Sequence, residues 1–295
     1  MRTLAATALI AVALAGCRPD TRSPVTVVEG SGPVAAFAPL SGGSFRYAEL
    51  RTGRVLEVNH RGERDPRPLV SLEVTSEGQR GLLGLAIGQR GRTFATWTRP
   101  DGRIVVGEVF PGPQRLVWLG PESRDVANGG HLVPMPDGSL LVGIGDLEQP
   151  DLVDDPSAPN GKIMRLDPDA GPDQTPEVVS SGWNNPFAFA VSMSGRVWVA
   201  DNAPGRKPEV LADGDRRGLT ELPARTVPSG LAAAGDDLLV LCGYRTGVVQ
   251  PYRVVDGRPR PEGEPRATDC RYGVSVLADG RVVYAAADSL RTVRL

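Results

Sequence analysis

Apolar and polar positions alternate in short bursts along most of the chain, and no stretch after the first seventeen residues keeps a long helical period. One unit recurs: a glycine-containing turn, then four to six residues rich in β-branched or aromatic side chains. It reads Ser41-Gly42-Gly43-Ser44-Phe45, then Arg90-Gly91-Arg92-Thr93-Phe94, then Asp137-Gly138-Ser139-Leu140-Leu141. It returns as Ser194-Gly195-Arg196-Val197-Trp198, Gly235-Asp236-Asp237-Leu238-Leu239 and Asp279-Gly280-Arg281-Val282-Val283. With Gly43, Gly91, Gly138, Gly195, Gly235 and Gly280 as markers, the spacings are 48, 47, 57, 40 and 45 residues. A four-stranded propeller blade takes roughly 40–50 residues. Asp-Gly between apolar runs is a hairpin signal, because glycine accepts the positive φ such turns need. The pattern therefore predicts an all-β fold, a six-bladed β-propeller of four-stranded antiparallel blades; a pair of β-sandwiches would not yield six such units. Closure removes free sheet edges, so residues 291–295 are expected beside residues 25–28. The widest spacing contains residues 148–160, rich in Asp and Pro, expected as a long loop on the face that bears the site.

The N-terminus sets the compartment. Arg2 precedes residues 4–15, a run of small and apolar side chains interrupted only by Thr7. The run is too short to span a bilayer and reads as a signal peptide. It ends in Leu14-Ala15-Gly16-Cys17, which resembles the lipobox of bacterial lipoproteins, where the Cys is acylated and becomes the new N-terminus. The expected organisation is a signal peptide over 1–16, a lipidated tether over 17–24 and the propeller over 25–295. Cys17 is then the membrane anchor of an extracytoplasmic protein, with the acyl chains as its sole hold on the membrane.

Composition narrows the partners. A net charge of −2 gives no reason to expect nucleic-acid binding. Lys162 and Lys207 are the only lysines, and the arginine excess beside so much Ala, Gly, Pro and Val reads as coding bias. Both lysines sit in loop-like sequence, so no lysine-based covalent chemistry is expected. A monomer is expected, with a sugar, another small molecule or a surface protein as partner.

Three segments carry a resemblance. They are Gly78-Gln79-Arg80-Gly81-Leu82-Leu83-Gly84-Leu85-Ala86; Asn128-Gly129-Gly130-His131-Leu132 through Gly145-Asp146 to Gly161-Lys162-Ile163-Met164-Arg165-Leu166; and Gly182-Trp183-Asn184-Asn185-Pro186 through Val197-Trp198-Val199 to Ala203-Pro204. In order and spacing they resemble the soluble quinoprotein glucose and aldose dehydrogenases, the glucose/sorbosone dehydrogenase family. That resemblance implies a six-bladed propeller using pyrroloquinoline quinone (PQQ) with calcium, oxidising the anomeric carbon of an aldose to a lactone. Such chemistry needs a base to take the hydroxyl proton while hydride passes to the quinone. It also needs cations around the quinone's carboxylates and oxygen ligands for calcium.

Carried over residue by residue, the resemblance is uneven. Gln79 stands where the family has a polar residue contacting quinone and substrate. The family's base, a His before Asn-Gly-Gly, is Ala127 here, and the Arg after that triplet is His131. Asn184 replaces the Arg preceding Asn-Pro, while Asn185 and Pro186 are kept. Ala203 and Pro204 match a Gly-Pro pair whose backbone carbonyls hold calcium, and the acidic residues after it are reduced to Glu209. Arg245 corresponds to a cationic residue of the fifth blade. In the last blade Cys270 and Tyr272 replace two Arg, and a one-residue slip would restore Arg271. Missing base catalysis costs ~10²–10⁴ in rate, and each lost charge-assisted contact about 1.5–3 kcal/mol. The resemblance therefore implies a retained scaffold with degenerate chemistry.

Several readings stay open beside it. His131 either takes over as base or packs near the channel. Trp97, Trp118 and Trp198 are spaced as inter-blade packing, whereas Trp183 lies where a ring could stack on a sugar or quinone. Asp146 is expected to bond loop backbone, Asp154 and Asp155 either to coordinate calcium or to form a solvated acidic loop, and His60 to sit in a turn. Cys242 and Cys270, the two cysteines of the folded part, fall by resemblance in neighbouring blades at the cofactor end, and export lets a disulfide persist. Three functions compete: a degenerate propeller binding a small molecule or partner, an active quinoprotein dehydrogenase using His131, and a calcium-dependent lactonase-like propeller.

Overall fold

Six four-stranded antiparallel sheets form, each from strands consecutive in sequence except the last. This computed structural model describes residues 23–203 and 207–295. Blades 1 to 5 cover residues 34–71, 82–122, 129–181, 188–221 and 228–261, and blade 6 joins residues 272–294 to the N-terminal strand Val25–Glu29. That strand pairs antiparallel with Ser289–Arg294, placing Val25 opposite Thr292 and Glu29 opposite Ser289. The two chain ends thus close the ring. Cys17, expected as an anchor, and the expected signal peptide lie outside the described residues, as does Pro204. Among the described residues the helices are three short 3-10 turns, none long and apolar enough to cross a membrane.

The innermost strands are Val34–Pro39, Leu82–Ile87, Gly129–Pro134, Ala188–Val191, Pro228–Ala233 and Tyr272–Val276, and they pack around the axis in a ring. Period-two alternation turns one face of each sheet to the preceding blade and the other to the next. Ile104, Val106 and Trp118 of blade 2 meet Leu132, Leu140 and Val142 of blade 3. Trp198 and Leu211 of blade 4 meet Leu231, Leu241 and Tyr252 of blade 5. Truncating a tryptophan buried in this way costs about 3–5 kcal/mol.

All six marker glycines occupy the same place, the hairpin between innermost and second strand, with φ between 74° for Gly91 and 109° for Gly235. The wide third spacing arises in blade 3, where residues 145–161 separate Leu140–Ile144 from Lys162–Leu166. Lys162 corrects the expectation that both lysines lie in loops. It opens the third strand of blade 3, is 2% exposed, and its Nζ donates to the carbonyls of Val153 and Asn160 at 3.0 Å each. Burial lowers its pKa, and the two bonds tie the long loop to the blade.

Opposite the glycine hairpins, where the innermost strands begin, regularity breaks. The register shifts at Val34/Ala36, Leu82/Gly84, Gly129/Leu132, Pro228/Gly230 and Tyr272/Val274. Bulges re-aim the residues around them. Backbones of adjoining blades nearly touch here: a Cβ on Gly84 would lie 2.2 Å from the Gly130 carbonyl oxygen, and one on Gly230 2.6 Å from the Val274 nitrogen.

Candidate functional site

Because all six blades run the same way, residues before an innermost strand share one rim with residues after a second strand. Gln79, Ala127, Asn184, Asn185 and Tyr272 reach that rim by the first route. Asp146, Ala203, Tyr244 and Arg245 reach it by the second. The long loop 145–161 leaves from the same side.

Blades 3 and 4 supply an acidic half. Ala127 adopts a left-handed φ of 53°, and its N–H donates to Gln79 Oε1 at 2.8 Å. Asn185 Oδ1 accepts from the Gly129 N–H at 3.0 Å. Asp201, at the end of Val197–Asp201, accepts from the N–H groups of Asn184 (3.1 Å) and Asn185 (2.8 Å). Asn184 Nδ2 donates to Asp146 Oδ2 at 2.5 Å, and Asp146 Oδ1 accepts from the Glu148 N–H at 2.9 Å. Both aspartates are buried. Desolvation raises the pKa of each, against the hydrogen bonds they accept; the Glu148 charge raises that of Asp146 further, and the Asp146 charge that of Asp201. Asn184 therefore does more than vacate an arginine position: it spans two buried carboxylates, and its own Oδ1 is buried without a partner. Asp201 escaped sequence reasoning. Its only signal was an Asp ending an apolar run directly before Asn202-Ala203-Pro204.

Blades 5, 6 and 1 supply a cationic and aromatic half. Cys242 and Cys270 are disulfide-bonded across blades 5 and 6, Cα atoms 5.9 Å apart, and both are buried. Beside the bond, Arg271 Nη1 donates to the Tyr244 carbonyl at 2.8 Å. The Tyr244 and Tyr272 rings meet at 5.4 Å and 55°. Burial raises the Tyr272 pKa, as does Tyr244, while the charges of Arg51 and Arg271 lower it. Arg245 is exposed. Both Glu209 oxygens accept from the Val227 N–H at 3.0 Å, so this carboxylate serves the backbone. Ala203 is buried, and among the described residues no three or more His, Cys, Asp or Glu side chains gather to hold a metal.

Two candidates lie off this rim. Trp183 corrects the stacking expectation. It is 1% exposed in the core between blades 3 and 4, donates its indole N–H to Ser180 Oγ at 2.8 Å, and carries the Arg216 guanidinium over its ring at 5.0 Å. It packs like the other three tryptophans. His131 is the third residue of Gly129–Pro134 and lines the channel beneath the rim, edge-on to Phe189 at 5.1 Å. Loss of hydration pulls its pKa down to about 4. It is therefore neutral at pH 7.

Residues 113–212 match the glucose/sorbosone dehydrogenase family model. That third of the chain holds Ala127, His131, Asp146, Asn184, Asn185 and Ala203. The chain is similar in structure to an oxidoreductase described as a glucose dehydrogenase from Thermus thermophilus, with 23% identity, TM-score 0.77, and 91% of this chain and 98% of that one covered. It is also similar to the PQQ-bound aldose sugar dehydrogenase of Streptomyces coelicolor (18% identity, TM-score 0.76, 92% and 96% covered). The apo form of the soluble aldose sugar dehydrogenase from Escherichia coli gives 18% identity, TM-score 0.76, and 92% and 99% coverage. At these identities the structural likenesses establish the fold. No curated protein matches the sequence. The resemblance to PQQ-dependent sugar dehydrogenases thus stands on the family model and the six-bladed scaffold together.

Proposed function

We propose that this is a lipid-anchored, extracytoplasmic propeller of the quinoprotein sugar-dehydrogenase type that binds a small polar molecule at its rim and no longer oxidises it. One observation carries the reading: the position of the family's base holds Ala127, whose N–H is bonded to Gln79. Substitution by another group is poorly supported. Asp146 is buried and bonded to Asn184 and Glu148. With a pKa of about 4, His131 is a weak base, and it has no hydrogen-bond partner among the described residues to orient it. Loss of a general base alone removes ~10²–10⁴ in rate.

The residues present do not fit the family's cofactor pair. A quinone bearing several carboxylates needs converging cations, yet Arg271 is directed at the Tyr244 carbonyl, Cys270 is in a disulfide, and Tyr272 packs on Tyr244. Arg245 is left facing solvent. For calcium, the Glu209 carboxylate is engaged by backbone. What remains is a rim with arginines and paired tyrosine rings on one side and buried carboxylates on the other, suited to a sugar or similar small polar molecule.

The test is to mix purified protein with PQQ and calcium and follow dye reduction over a panel of aldoses. No reduction above background is expected, and turnover near ~10 s⁻¹, ordinary for an enzyme, would overturn the reading. Anchoring is tested separately: Cys17→Ser should release the protein from membranes, and a variant that still pellets fully with them contradicts the lipobox.

A further inference from the structure

The channel has a second chamber that neither the rim nor the proposed function uses. Below His131 the six innermost strands line a cavity of about 240 Å³ that opens to solvent. Its far mouth, on the side of the glycine hairpins, is a collar made by the last residue of every innermost strand: Pro39, Ile87, Pro134, Val191, Ala233 and Val276. All six are apolar. Among the described residues no Asp, Glu, Lys or Arg side chain lines the chamber; its polar side chains are His131 and Ser275. The innermost strands pair on one side only, so their other edge adds neutral backbone groups.

We propose that this chamber is a binding site for a small uncharged molecule with an aliphatic body and one hydroxyl or carbonyl group. Size sets the first limit. An aliphatic cavity of roughly 150 Å³ holds benzene, whereas drug-sized ligands need ~300–1,000 Å³, so the body is that of a six-carbon alcohol or somewhat larger. Charge sets the second. A buried ion without a partner is heavily penalised, and nothing here pairs with one, so carboxylates and amines are excluded along with the anionic cofactor of the family. Hydrogen bonding sets the third. The neutral imidazole of His131 offers one donor and one acceptor, neither of them bonded among the described residues, next to an apolar wall. The pinched backbones at Gly84 and Gly230 lie on the rim side of the chamber, so a ligand enters through the collar. The site is independent of whether the rim oxidises sugars.

The chain has two histidines, His60 on an exposed turn and His131 in the chamber, so imidazole proton NMR of the full protein reads this site directly. Hexanol should shift the His131 resonances saturably at pH 7 and leave those of His60 unmoved. Hexanoate and hexylamine should bind at least about ten-fold more weakly, the charge penalty exceeding that ratio. Ala233→Trp, which fills the mouth, should abolish the shift while thermal unfolding stays cooperative; Val276→Trp serves if the first variant does not fold. The proposal is overturned if hexanol causes no saturable shift up to its solubility. It is equally overturned if hexanoate matches hexanol, or if a folded mouth variant binds hexanol as the parent does.

Discussion

At the rim, five of the six innermost strands begin with a register shift, and the residues around the six strand starts include Gln79, Asn184, Asn185, Arg271 and Tyr272. At the other end the same six strands stop on an apolar residue and turn through a hairpin carrying a positive-φ glycine. Two surfaces built from one set of strands therefore obey different rules. The hairpin end repeats because a turn has few solutions. The rim departs from the repeat because its loops are set by what they bond to: Asp201 fixes the entry to blade 4, Gln79 the turn at Ala127, and Lys162 the long loop of blade 3. Polar groups buried at the rim bond to backbone of other segments, so a change there is felt across blades.

Breaking Asp201 should show this most strongly. Asp201→Ala leaves the N–H groups of Asn184 and Asn185 without their acceptor. Two buried unsatisfied donors cost about 1–3 kcal/mol each, so urea unfolding should report a loss of about 2–6 kcal/mol. Val191→Ala in the apolar collar deletes a half-buried side chain and should cost clearly less. A collar variant as damaging as the rim variant would erase the distinction between the ends.

The disulfide sharpens the comparison within the rim. It joins blades 5 and 6, residues 242 and 270, where blades 3 and 4 are joined instead by the Asp146-Asn184 and Asp201 bonds. Double substitution to Ser should lower stability by ~2–4 kcal/mol, mainly by freeing the unfolded chain. Thiol titration of denatured, unreduced protein should find neither Cys242 nor Cys270 free; two titrating thiols from these positions would remove the bond from the account.

This asymmetry also decides what was legible from sequence. The six glycine turns gave the blade count and the fold class because they mark the end of the molecule that repeats. Ring closure by Val25–Glu29 followed from the need to pair both chain ends. At the rim the sequence located the segments but not the bonds between them. Asn184 read as a lost arginine, while its function as a bridge between Asp146 and Asp201 depends on two strands meeting across a blade boundary. Trp183 read as a stacking ring because its neighbours are site residues, yet just beyond the strand Glu177–Ser181 it turns into the core between blades 3 and 4, its indole N–H held by Ser180. Lys162 read as loop-like sequence, and burial of its ammonium between two carbonyls leaves no mark in the local pattern.

Acid should set the two kinds of buried group against each other. His131 has its pKa pulled from 6.5 to about 4 by burial. Between those values the unfolded chain binds the proton and the folded protein does not, so this contribution to stability is intact above pH 6.5 and is lost as pH falls toward 4. At about 1.4 kcal/mol per pH unit the loss is at most about 3.5 kcal/mol, and about 2 kcal/mol of it is reached by pH 5. Asp146 and Asp201 carry the opposite sign: burial raises both pKa values, so falling pH relieves the cost of their charges and favours the folded protein. His131→Leu keeps the chamber apolar and removes the imidazole term alone. Urea unfolding should show the stability difference shifting in the variant's favour by about 2 kcal/mol from pH 7 to pH 5, with the variant's own stability flat or rising as pH falls. An unchanged pH dependence in His131→Leu would mean that the imidazole is hydrated through the collar and that the chamber beneath the rim is open to water.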